Sequence, residues 1–251
     1  MIQLGVVGEA VTEHKTVEHI EMMFKAARDL GFLVFISPHY YYPHDKNWEF
    51  EGTLEALMHE IGMFDRADPL SLEGFEGSGA DWLKQYKEYI AEENVVVVNP
   101  HKVYGPQTND LVLQLRKRGI SRVILGGMSA NLCVESHMRE LLEQGFEVFV
   151  VKDATAGPRH PDLGDGDAAA RVNFRYMANG VLNTTEAIDA MGTGADVPDF
   201  TVEESAATNN DRATEATDNE YADQEQNNGA KVVSIGVVVT GTALSTLISV
   251  W

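Results

Sequence analysis

The sequence predicts an α/β fold: a doubly wound parallel sheet in three α/β/α layers. Three observations carry this. Short apolar runs of strand length recur along the chain, and runs without polar alternation mark strands covered on both faces. Helical patterns alternate with those runs. Cations and glycines punctuate the helix ends. Regular strand–helix alternation implies a parallel sheet with its helices on both faces.

The first helix runs from Val17 to Leu30, with Val17, Ile20, Phe24, Ala27 and Leu30 at helical spacing and Gly31 as the stop. Phe32–Ile36 is a wholly apolar strand, followed later by Val95–Val98, Val123–Leu125 and Val148–Val151. Helices are expected at 108–118, ending in Arg116-Lys117-Arg118-Gly119, and at 134–144, ending before Gly145. Two more follow, Ala168–Ala178 and a short one at Thr185–Met191. Residues 38–90 form a long irregular stretch rich in aromatics, either a lid or subunit contact, or a packed surface insertion.

Residues 1–192 therefore read as one domain, 193–231 as an acidic disordered linker and 232–251 as an apolar C-terminal segment. The net charge is −20. Residues 196–231 hold ten acids against Arg212 and Lys231, so −12 remains elsewhere. That balance argues against a nucleic-acid partner, because phosphates need Lys and Arg. One cysteine suits a reducing compartment, and no secretory leader pattern is visible, so a cytoplasmic protein is expected. The uncharged 232–251 run has three open readings: a membrane anchor (not the favoured one), an extra strand, or a segment of a faulty gene model.

The lone Cys133 follows the strand Val123–Leu125 and opens a helix. In doubly wound sheets the site lies beyond the carboxyl ends of the strands. There, helix N-terminal amides favour a thiolate and an oxyanion. The alternative is a small buried hydrophobe. Lys102 follows the preceding strand in the same way, although most lysines are solvated surface charges. His101 and His137 are candidates for a Cys–His pair; His137 lies four residues past Cys133 on the same helix.

The segment Gly127-Met128-Ser129-Ala130-Asn131-Leu132-Cys133-Val134 resembles the isochorismatase-like cysteine hydrolases, which include nicotinamidases and N-carbamoylsarcosine amidohydrolases. Arg139, Gly145-Phe146-Glu147-Val148, Val151-Lys152-Asp153-Ala154, Lys102 and Thr108-Asn109-Asp110-Leu111 extend the likeness over roughly 11–191. The resemblance implies an isochorismatase-like fold, Cys133 as nucleophile and Lys102 as the lysine of a Cys–Asp–Lys triad. It implies an oxyanion held by the backbone amides of Ser129 and Cys133, and a cis peptide between Met128 and Ser129. It also implies C–N cleavage of a small amide or carbamoyl substrate through a thioester, and a homo-oligomer. Tyr40, Trp82, Tyr104 and Asn131 are the expected pocket residues. His39 and His44 lie where nicotinamidases bind a metal, but Ser37 stands at the Asp position and two histidines are too few ligands. No metal or other cofactor is expected.

One departure stands out. The family's catalytic Asp ends a first strand that this sequence lacks. Met1–Val11 looks like the stretch just after that strand, and Asp29 falls within the first helix. The expectation is an N-terminally truncated domain of doubtful activity, or a non-catalytic binding protein that keeps the fold. Val232–Val239 is a candidate to fill the gap, but it carries no carboxylate.

Overall fold

In the computed structural model, residues 5–193 and 235–240 are described. The helices are α1 (Gly5–His14), α2 (Thr16–Leu30), α3 (Thr53–Glu60), α4 (Lys87–Ile90), α5 (Leu111–Lys117), α6 (Glu135–Glu143), α7 (Gly166–Met177) and α8 (Thr184–Thr193). The strands are β1 (Leu33–Ser37), β2 (Val95–Val97), β3 (Arg122–Met128), β4 (Glu147–Ala156), β5 (Arg159–His160), β6 (Gly164–Asp165), β7 (Gly180–Leu182) and β8 (Ile235–Thr240). Six strands form one parallel sheet in the order β2-β1-β8-β3-β4-β7. The short β5–β6 pair is antiparallel and separate.

Side-chain alternation along each strand divides the core in two. Phe35, Val123, Leu125, Val148 and Val150 pack with Leu111, Leu115, Met138, Leu141 and Phe174 from α5, α6 and α7. Val34, Ile36, Ile124 and Val151 pack on the other face with Ile20, Met23, Phe24, Ala187 and Met191 from α2 and α8. These are the three layers read from the sequence. Gly31, at φ 74°, ends α2 in the left-handed region that glycine adopts without strain.

Two local features add to the sequence reading. Gly5–His14 is a helix, and it packs Ala10, Val7 and Val11 against Met128 and Ala156 at the end of β3 and β4. The 38–90 stretch holds α3 and α4 and packs on the rest of the domain, as one of its two readings expects. Tyr41 and Tyr86 are fully buried, and isolated bridges join His39 to His101 and Tyr41 to Asp65.

The middle of the sheet is supplied from the far end of the chain. β8 lies between β1 and β3, with Val237 level with Val34 and Ile124. Both neighbours thereby gain the backbone partners that buried strands require. Its last residue, Thr240, is level with Ser37 and Gly127. The linker expectation falls almost wholly on 194–231, outside the described residues. Of the 232–251 segment, 235–240 is strand and the rest is likewise outside. Among the described residues, no helix is long and apolar enough to cross a membrane.

Candidate active site

β3 runs out through Gly126 and Gly127 into a π-helical turn, Ala130–Val134, which leads directly into α6. Close packing explains Gly126: a Cβ there would lie 3.2 Å from the Ala154 carbonyl oxygen on β4. The Met128–Ser129 peptide is cis. Single π turns inside helical runs are frequent at functional sites; this one buries Cys133 at the carboxyl end of β3.

Burial pushes the Cys133 thiol up to about 11, against the pull of backbone hydrogen bonds from Ser129 and from Cys133 itself. Those are the two amides that the family resemblance implies for an oxyanion. At neutral pH the sulfur is therefore protonated, with about one part in 10⁴ as thiolate.

Lys102 is held by the 40–45 segment. Its ammonium lies 2.5 Å from Asp45 Oδ2, donates to the Tyr40 carbonyl at 3.0 Å, and sits 3.9 Å from the centre of the Tyr42 ring. Asp45 is buried and also accepts the Tyr42 amide at 2.8 Å. Sequence reasoning missed Asp45 because it lies 57 positions from Lys102, in an irregular segment. Asp29, in α2, is exposed and paired with Lys25 and Arg28.

His137 belongs to a fixed chain of hydrogen bonds. Its Nδ1–H donates to the Cys133 carbonyl at 2.7 Å, so Nε2 accepts from the Ser37 hydroxyl at 2.7 Å. Asn109 Nδ2 in turn donates to Ser37 at 2.9 Å. This ties the Cys133 turn to the end of β1, and it uses both ring nitrogens of His137. The imidazoles that approach the sulfur are His39 and His101: a ring nitrogen of each and the Cys133 Sγ all lie within 4.8 Å of one another. His44, by contrast, is mostly exposed.

The expected pocket residues divide. Burial, and then the charges of Glu55 and Cys133, push the Tyr104 hydroxyl up, which puts Tyr104 near the sulfur. Asn131 accepts from Ser129 Oγ at 3.3 Å and lies against Gly166, where a Cβ would meet it at 2.5 Å. Tyr40 and Trp82 instead pack on each other and on Phe75, with Arg66 over the Tyr40 and Phe75 rings. Tyr41 was missed; its buried hydroxyl lacks a hydrogen-bond partner among the described residues, and it too feels the charge state of Cys133. Asp153 is structural: it accepts the amide and hydroxyl of Thr184 at 2.8 and 2.9 Å and so caps α8.

Comparison with known proteins agrees with this architecture. Residues 2–186 match the isochorismatase domain. An uncharacterized isochorismatase family protein of Bacillus subtilis, YwoC, is 30% identical over 133 residues, covering 50% of this chain and 68% of YwoC. YecD of Escherichia coli O157:H7, also an uncharacterized member, is 49% identical over 45 residues, 18% of this chain and 24% of YecD. Among solved structures, a cysteine hydrolase from Pseudomonas syringae pv. phaseolicola superposes with a TM-score of 0.57 at 21% identity, covering 71% of this chain and 81% of the other. An isochorismatase family protein from Desulfovibrio vulgaris gives 0.55 at 16% identity, covering 71% and 85%. The family match spans most of the sequence and the solved structures share its fold; the chain belongs to the isochorismatase family.

Proposed function

We propose that this protein is a cysteine hydrolase-type member of the family that accepts a small amide or carbamoyl compound at Cys133 and turns it over weakly or not at all. The observation that carries this reading is the asymmetry of the site. Cys133 sits under two backbone amides at the end of β3, while Lys102 is paired with Asp45 and the middle strand, Ile235–Thr240, contains no carboxylate. Hydrolysis would begin with the thiolate attacking the carbonyl, with the oxyanion between the Ser129 and Cys133 amides. The C–N bond then breaks, the amine leaves with a proton, and water cleaves the thioester to the acid. The proton moves in and out of that sequence need an acid–base group, which typically contributes 10²–10⁴-fold.

The test is turnover of a panel of small carboxamides and carbamoyl compounds by the purified chain. The expected rate is at least about 100-fold below that of a family member with its acid–base group intact. Turnover at the ordinary family rate contradicts the reading.

The high pKa of the buried thiol also favours a second reading, a binding protein that keeps the fold without catalysis. Cys133→Ser separates the two. It abolishes residual turnover if the thiol reacts, and leaves small-molecule binding intact if it does not. A homo-oligomer in the cytoplasm remains the expected setting for either.

A further inference from the structure

Two imidazoles and a thiol gather at this site, and all three are buried: His39 is 2% exposed, His101 is fully buried and Cys133 is 7% exposed. His39 donates from Nε2 to the Lys102 carbonyl at 3.1 Å, which leaves Nδ1 with its lone pair. A backbone carbonyl on the far ring nitrogen is the usual device for fixing a metal-ligating histidine. Both ring nitrogens of His101 are buried without a hydrogen-bond partner among the described residues. The Val103 backbone is near enough to influence the ring but completes no hydrogen bond of good geometry; a buried imidazole paired so weakly demands an explanation, and an ion is one of the few available.

We propose that His39, His101 and Cys133 form a three-ligand site for Zn²⁺, with a fourth position open to water or a small ligand. Nitrogen and sulfur ligands with one open position are a zinc pattern. Bonds of about 2.0–2.3 Å in a tetrahedron place ligand atoms about 3.3–3.7 Å apart, so the 4.8 Å group needs a closure of roughly 1 Å. Burial keeps the His39 and His101 imidazoles neutral, which is the ligating form. On binding, the Cys133 S–H gives its proton to solvent and an S–Zn bond forms. The site does not include Ser37, whose hydroxyl is engaged by His137 and Asn109. It goes beyond the hydrolase reading and fits the binding-protein reading, because a zinc-bound thiolate is not free to attack a carbonyl: the metal-bound chain would not turn substrate over.

The experiment uses the full chain stripped of metal with a chelator and titrated with Co²⁺ and Zn²⁺. The expected result is one Co²⁺ per chain with a thiolate-to-cobalt charge-transfer band in the near ultraviolet, displaced by Zn²⁺. Stoichiometric Zn²⁺ protects Cys133 from iodoacetamide in the unaltered chain, a readout that needs no variant. His101→Gln weakens binding more than about 100-fold, beyond the loss caused by removing an outer partner of a ligand. Cys133→Ser removes the charge-transfer band, and His44→Gln changes neither. Absence of the band, Zn²⁺ leaving the labelling rate unchanged, or binding by a folded His101→Gln chain as tight as the unaltered one overturns the proposal.

Discussion

The two sides of the Cys133 site are built in different ways. On one side, β3, the π turn and α6 are a single contiguous stretch, residues 122–143, that delivers the sulfur and its two backbone amides together. On the other, the parts come from four places: β1, the Asp45 turn, the segment carrying His101 and Lys102, and β8 from the far end of the chain. The contiguous side keeps its geometry because each residue is fixed by its neighbours. The dispersed side depends on long-range pairing, and there the lysine is held by Asp45. The Asn109–Ser37–His137–Cys133 chain of hydrogen bonds is the bridge between the two.

The most severe way to break the dispersed side is at its central strand. Val237→Pro removes a backbone donor between β1 and β3 and is expected to cost about 3 kcal/mol or more. A denaturant melt showing no change would mean that β8 does not complete the sheet. Asp45→Asn is next. It leaves the mostly buried Lys102 ammonium without its anion, and partial exposure of the lysine tempers the loss to about 2 kcal/mol. Iodoacetamide labelling of Cys133 should stay within about 3-fold of the unaltered chain, because an exchange smaller than that is under 1 kcal/mol. A large acceleration would mean that Lys102, once released, activates the thiol.

The bridge is read by pH. Burial lowers His39 to about 3 and His137 to about 4, and places His101 well below its ordinary value. The unfolded chain therefore binds more protons than the folded one below about 6.5. Stability from these groups is full above that pH and falls as the pH drops toward 4, by up to about 1.4 kcal/mol per pH unit for each residue. Folded His137→Gln should lose one such increment of slope between pH 6 and about 4. Melts at several pH values check this; an unchanged slope would mean that His137 is already charged in the folded state.

The same contrast explains what the sequence made legible. The alternating apolar runs set the layers, and the Cys133 turn could be placed from its local pattern alone. The helix Gly5–His14 was not foreseen, because its weak amphipathicity is resolved only by packing of Ala10 on Met128 and Ala156. The Lys102–Asp45 pair and the His39–His101 approach were invisible for a different reason. Both join residues about sixty positions apart through irregular backbone, where no periodicity reports proximity. Val232–Val239 was legible as a candidate filler of the sheet, but its register between β1 and β3 was not.

The central claim is that the thiol side of the site is built while, among the described residues, no charged group on the other side lowers the thiol's pKa. Iodoacetamide labelling of the metal-free chain against pH tests this directly, since Cys133 is the only cysteine in the sequence. The account predicts a rate that rises about tenfold per pH unit and does not level off below about pH 10, as a thiol pushed up to about 11 requires. A plateau reached below about pH 8, the behaviour of an activated thiolate, would contradict it.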